Sequence, residues 1–152
     1  MPVNTSAGSI LRISAGVPAT FNAAGYQALA YTTVGEITDF GEFGREYNLV
    51  THNPVGNRST QKFKASFNEG ALTLQLGLDT DDAGQILCKT ALNSDANFAF
   101  LLQTQNNDRY YFQAQVMSFK VGVGSVDQIT GATIMVEITT SPGGVGIVEV
   151  LA

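Results

Sequence analysis

Few residues in this chain are of types that carry chemistry, and their spacing limits what each can do. His52 is the only histidine. A general base or metal ligand needs partners, and there is no second imidazole and no His-plus-Cys spacing. His52 therefore reads as a loop residue making a local contact. Cys88 is the only cysteine, so no intrachain disulfide can form. A reactive thiolate needs a helix start or a basic neighbour to lower its pKa. Cys88 falls in the middle of a helical pattern, with Lys89 on a different face, and reads as a packed, inert thiol. Asp79, Asp81, Asp82 and Gly84 are like the opening of a calcium loop. That loop needs an acid or amide at its fifth position and Glu at its twelfth, where this chain has Ala83 and Thr90. Helix capping explains the acids instead.

Other motifs fail in the same way. Val121-Gly122-Val123-Gly124-Ser125-Val126 lacks the third glycine and the following helix of a dinucleotide fingerprint. Tyr110, Tyr111 and Phe112 point alternately to opposite faces of a strand and cannot form one stacking platform. Asn4-Thr5-Ser6 and Asn57-Arg58-Ser59 fit the glycosylation triplet, which means little without a secretory signal. With no nucleophile–base pair, metal cluster or phosphate cradle, the expectation is a protein with no catalytic residue, no metal and no cofactor, and not an enzyme.

Composition narrows the class. Charged residues make up 14% and apolar residues 44% of 152 residues, the rest being rich in Thr, Asn, Gln and Gly. Low charge with ample apolar content excludes a disordered tail, and scarce Glu, Lys and Arg argue against a helical bundle. Eight basic against 13 acidic side chains leave −5, which disfavours a nucleic-acid binder. No apolar run reaches 18 residues, so membrane insertion is not expected. The start, Met1 to Ser6, has no basic-then-apolar leader.

The elements that must position these residues are mostly strands. Residues 9–14, 35–40 and 45–52 read as strands. So do 61–67, 71–78, 98–104, 109–121 and 129–140, from alternation or apolar runs bounded by turn formers. Leu72, Leu74, Leu76 and Leu78 alternate most cleanly. Residues 17–31 read as extended or irregular. One amphipathic helix is predicted over 81–92, with Ile86 and Leu87 toward the core and Lys89 outward. Residues 45–52 and 61–67 face each other across His52, Asn53, Pro54, Val55, Gly56, Asn57, Arg58 and Ser59, a hairpin loop longer than usual. Tyr47, Leu49, Phe63 and Phe67 assign the arms to the body of the domain, with Phe63 and Phe67 on one face. Residues 1–8 read as an arm and 141–152 as a tail able to pair as an edge strand. The expected fold is mainly β: one domain, a β-sandwich or small barrel with one flanking helix.

The order of these features carries a resemblance. A glycine-led strand, Gly35-Glu36-Ile37-Thr38-Asp39-Phe40, precedes the long-looped hairpin from Arg45 to Thr51 and from Lys62 to Phe67. Gly70-Ala71-Leu72-Thr73-Leu74-Gln75-Leu76 then leads to the helix with Asp81-Asp82-Ala83-Gly84-Gln85. Phe98-Ala99-Phe100 and the strands Tyr110–Val116 and Ala132–Ile138 follow. From Val34 to Thr140 the chain resembles the major tail tube proteins of long-tailed, non-contractile bacteriophages, whose fold is shared with contractile-tail and type VI secretion tubes.

The resemblance implies a late, structural virion protein. It would assemble in the host bacterial cytoplasm into six-fold rings stacked as the phage tail tube, the conduit for genome ejection. Implied partners are further copies of itself, a tape measure protein inside the tube, terminator and distal tail proteins at its ends, and DNA in transit. The immunoglobulin-like domain that some relatives add at the carboxy terminus is not expected within 152 residues. In the family the corresponding loop reaches the adjacent ring, which assigns His52 to Ser59 to that contact. Gln113, Gln115, Thr133 and Glu137 are the candidates for a polar sheet face lining the lumen. If each of six subunits gave about four strands at ~4.8 Å spacing, the barrel would be ~37 Å across, enough for a duplex. The competing readings are a contractile-tail or type VI secretion tube and, in another class, a small carbohydrate-binding β-sandwich. The last is disfavoured by the absence of Trp.

Overall fold

The computed structural model describes residues 3–152; Met1 and Pro2 of the expected arm lie outside the described residues. Ten strands and two helices occur in the order β1 (Ile10–Ser14), α1 (Ala23–Gln27), β2 (Thr32–Val34), β3 (Ile37–Asp39), β4 (Glu46–His52), β5 (Gln61–Asn68), β6 (Ala71–Gly77), α2 (Ala83–Leu92), β7 (Phe98–Gln103), β8 (Arg109–Gly122), β9 (Gly131–Thr139) and β10 (Val148–Val150). The expected mainly β fold with a flanking helix is the one observed. The antiparallel main sheet runs β2-β1-β7-β8-β9-β6-β3. β8 is long enough to pair with β9 along most of its length while Arg109 to Tyr111 pair with β10, so the tail closes an edge.

Chain connectivity forces this sheet to roll. Flat, seven strands at ~4.8 Å spacing would hold β2 and β3 about 29 Å apart. Only Gly35 and Glu36 separate these outermost strands in sequence, a link that spans at most ~11 Å. Glu36 takes the left-handed conformation (φ 64°) to make the turn, and its carbonyl accepts from Gly77 N–H at 2.8 Å. Inside the roll lie Leu11, Ile13, Leu72, Leu74, Phe100, Phe112, Ile134 and Val136, with Phe100 and Phe112 stacked at 5.5 Å.

α2 plugs the roll. Asp82 is its N-cap, so the helix starts two residues later than the acidic run suggested. Its buried face is Gly84, Gln85, Cys88 and Ala91, with Leu87 partly buried. Ile86 is half exposed, contrary to its expected inward position: the helix is rotated so that Gly84 lies against β2. A Cβ at Gly84 would collide with Thr33 O and Val34 Cα, so only glycine permits this approach. Gln85 supplies the polar closure. Its Oε1 accepts from Asp79 N–H (3.0 Å), and its Nε2 donates to Gly35 O (3.1 Å) and Gly77 O (3.0 Å).

A second, smaller cluster lies on the outer face of the sheet. α1, in the segment read as irregular, follows Asn22, whose side chain caps it by accepting from Gly25 N–H at 2.8 Å; β2 follows that segment at residues no element was assigned to from sequence. Tyr26 from α1 stacks on Tyr111 at 5.6 Å, beside Ala99 and Leu101. Five residues with a central glycine carry too little periodicity for a helix to be read from sequence.

Candidate functional site

β4 and β5 form a separate two-stranded sheet, and all fifteen of their residues are exposed. This corrects the expectation that Tyr47, Leu49, Phe63 and Phe67 tie the arms to the body. The hairpin stands clear: Asn48 Nδ2 donates to Ser66 Oγ across it at 3.0 Å, and the ties to the body lie at its foot. There the Arg45 guanidinium meets the buried Glu69 carboxylate at 2.7 Å, lies 4.0 Å from the Phe67 ring centre and donates to the Tyr47 hydroxyl at 3.2 Å. The Tyr47 hydroxyl and then Glu69 raise the Arg45 pKa above its ordinary value. Glu69 is overlaid by Gly146, where any Cβ would clash with the carboxylate side chain.

The faces of the hairpin also differ from simple alternation. Tyr47 is opposite Phe67, yet Leu49 is opposite Lys64 and Val50 opposite Phe63, because one extra residue is accommodated in β5. That bulge sends Phe63 and Phe67 to opposite faces. One face holds Tyr47, Leu49, Lys62, Lys64 and Phe67, with Lys64 Nζ 4.9 Å from the Tyr47 ring centre. The other holds Val50 and Phe63, each at least half exposed. At the tip His52, Asn53, Val55, Gly56, Asn57, Arg58 and Ser59 are exposed and Pro54 half-buried. The loop is ordered by two turns: Asn57 N–H to Pro54 O (3.2 Å) and Ser59 N–H to Asn57 Oδ1 (3.0 Å). An isolated two-stranded ribbon is marginal in water, and in this chain it is packed only at its foot.

The main sheet has an open face beside this hairpin. Gln115, Thr133 and Glu137 share it with Thr73, Gln75 and Met135, as the register pairs Gln115 with Glu137, Glu137 with Ala71, Met135 with Thr73 and Thr133 with Gln75. Gln113 is a correction. It is 3% exposed, buried at a cleft lined also by Val17, Phe21 and Pro142, and is not on the open face. Alternation put it with Gln115; the cleft is a tertiary feature that alternation does not encode.

The hairpin and the far end of the body differ in charge. The hairpin leaves at the start of β6; at the far end of β6, about 20 Å away, lie Glu36, Asp79, Asp81 and Asp127, all exposed, with Lys120 the nearest cation on the adjoining strand. The β8–β9 loop at that end also exposes Val123, Val126 and Ile129. Arg58, Lys62 and Lys64 against Glu46 give residues 46–68 a formal +2, so the rest of the chain carries −7 to reach −5. Neither Glu69, which anchors the hairpin, nor Gln85, which seals the roll, was found from sequence. A lone acid before Gly70 and a glutamine within a helix carry no periodic signal.

Among the described residues no group of three or more His, Cys, Asp or Glu is placed to hold a metal, and no helix is long and apolar enough to cross a membrane. No protein-family model and no curated protein matches the chain. Solved structures do. A chain in the six-fold symmetrised cryo-EM structure of the anti-feeding prophage baseplate is 12% identical, with TM-score 0.66 over 91% of this chain and 93% of that one. A chain of the sheath/tube terminator of an extracellular contractile injection system, in its extended state, is 9% identical, with TM-score 0.68 over 99% and 97%. A chain from the tail of an empty GTA particle, refined with C6 symmetry, is 5% identical, with TM-score 0.67 over 99% of each. At such identities the likeness is one of fold: this rolled sheet with its plugging helix is the fold of subunits in tails and tail-like particles.

Proposed function

We propose that this chain is a structural subunit that builds the tube of a phage-type tail, six copies to a ring and rings stacked head to tail. The observation that carries this reading is the unsupported hairpin. It exposes aromatic and aliphatic side chains on both faces, bears +2, and leaves the body opposite an acidic, apolar end. A surface that complements a different surface of the same molecule makes a heterologous contact, which propagates into a filament. The hairpin of one copy docks on the Glu36, Asp79, Asp81 and Ile129 end of a copy in the next ring. The open face with Gln115, Thr133 and Glu137 lines the lumen, where weakly charged walls let DNA slide. The likeness to subunits of tail particles supports the same reading.

One of the structural neighbours is from an extracellular contractile injection system, whereas the sequence resemblance points to a non-contractile tail. A purified particle with or without a sheath around the tube separates the two. Negative-stain microscopy of the concentrated chain tests the function itself. Tubes of uniform width with regular striations are expected, as is their loss, with the body still folded, when residues 49–64 are replaced by a two-residue Asn-Gly turn. A shortened chain that still forms tubes as readily as the parent would refute the hairpin contact. A parent that stays monomeric at every concentration would refute the tube.

A further inference from the structure

Two arginines outside the hairpin have no acidic partner. Arg12 lies in the middle of β1 and Arg109 at the start of β8, with β7 between them. Arg12 is opposite Leu101, Leu101 opposite Tyr111, and Arg109 opposite Gln103 in the next row of the same face. Both are half-buried and line one pocket of about 330 Å³ with Gln27, Tyr31 and Tyr111. The one ion pair among the described residues is Arg45–Glu69, so neither guanidinium is neutralised within the chain. Arg12 Nε is buried without a hydrogen-bond partner. The nearest acid in sequence, Asp108, is engaged by the Ala152 N–H at 2.9 Å. The Tyr31 hydroxyl donates to Tyr26 O at 2.9 Å.

Two like charges drawn together under partial burial, one with an orphaned N–H, are costly unless an anion arrives. We infer that the Arg12–Arg109 pocket is a carboxylate site, filled in the assembled protein by an acidic side chain of a neighbouring copy. The chemistry selects a carboxylate. Backbone N–H groups of β1, β7 and β8 are spent on their ladders, which leaves two planar guanidinium forks, the Gln27 amide and the Tyr111 hydroxyl as donors. Forks of this kind match a planar carboxylate, and Leu29, Leu101 and the tyrosine rings fit its methylene stem. Supply favours the same chain, since among the described residues 12 of its 13 Asp and Glu side chains have no ion-pair partner. The pocket is walled by outer-face side chains of β1, β7 and β8 and by the segment from Gln27 to Tyr31, on the side of the subunit. It therefore serves a copy alongside, within a ring, and not the hairpin contact between rings. Only this source rests on the proposed tube; the site's preference does not.

Two measurements on the full chain test it. In the free protein, the Arg Nε–H NMR signals are followed during titration with succinate and, separately, inorganic phosphate. Arg12 and Arg109 should move together at millimolar succinate while Arg58 stays. No selective movement, or phosphate binding tenfold more tightly than succinate, overturns the carboxylate assignment. In the assembling protein, Arg12→Gln and Arg109→Gln should raise the concentration needed for assembly by about tenfold or more, without lowering Tm, and Arg→Lys should recover part of it. A photo-crosslinker in place of Gln27 should capture an Asp- or Glu-containing peptide of a second copy. Unchanged assembly, or capture of a peptide without acids, refutes the neighbouring-copy source. If the parent never assembles, the tube reading fails while the succinate titration still decides the site.

Discussion

Gln85 shows how one side chain can hold a rolled sheet shut. It satisfies the Asp79 N–H and the Gly35 and Gly77 carbonyls from within a buried position. Gln85→Leu keeps the volume and strands all three groups. Leaving buried polar groups unpaired costs about 1–3 kcal/mol each at most sites, and partial rehydration at this edge should bring the total to about 2–4 kcal/mol in urea unfolding. A loss below ~1 kcal/mol would mean that water replaces the amide. Cys88 carries a different consequence. Burial, with a smaller contribution from the Asp82 charge, pushes its thiol up to about 12, and burial does the same to Tyr26. Because these folded-state values exceed the unfolded ones, their stabilisation is complete below about pH 8.5. It declines as pH rises, first from Cys88 and then, above about pH 10, from Tyr26, by at most ~1.4 kcal/mol per pH unit for each group. Cys88→Ala should flatten the decline between about pH 8.5 and 10, read from urea midpoints across that range. An unchanged alkaline slope would show that Cys88 is not its source. Thiol reagents should label Cys88 only on unfolding.

Among the elements, β4–β5 and α2 are opposites. α2 is short but fixed by Asp82, Gln85 and the close approach at Gly84; β4–β5 is longer and fixed only at its foot. Its exposed apolar residues therefore add little to the subunit's own stability and, in the proposed tube, act in association. Phe63→Ser and Val50→Ser should each change the free subunit's unfolding free energy by less than ~0.5 kcal/mol while weakening tube formation by tenfold or more. Paired measurements of urea unfolding and sedimentation check both halves. If Phe63→Ser unfolds the subunit as readily as a core truncation, the hairpin packs on its own body in solution. Glu69→Gln should act otherwise. It weakens the Arg45 anchor and frees the hairpin's angle, so assembly should fall even with the hairpin sequence intact.

At the scale of the whole molecule the separation of charge matters most. With the docking proposed above, a hairpin at +2 and a remainder at −7 make assembly sensitive to salt, since exposed ion pairs are screened within a Debye length of about 8–10 Å. Lys62→Glu with Lys64→Glu should abolish assembly at low salt, as should Asp79→Lys with Asp81→Lys. The chain carrying all four changes should recover at least part of it. Turbidity and microscopy of the three variants at matched concentration decide this. Failure of the fourfold variant, with both doubles folded, would move the docking surface away from Asp79 and Asp81.

Strands, the central helix and the long loop were legible because they depend on local pattern. Leu72, Leu74, Leu76 and Leu78 alternate, Asp82 precedes an apolar 3.6-residue repeat, and residues 53–59 are dense in turn formers. The charge balance and the poverty of catalytic pairings likewise follow from composition and spacing alone. What came from the fold is every relation that crosses the chain. Ile86 turned outward because Gly84, which needs no space, drew the helix onto β2. Gln113 vanished into a cleft lined by a segment more than 90 residues earlier in the chain. Phe63 left the face of Phe67 through one bulge, and the arms of the hairpin left the body altogether. Alternation records which side of a strand a residue takes. It holds no record of what arrives to cover that side, because covering depends on how the whole sheet closes and which distant segments reach it.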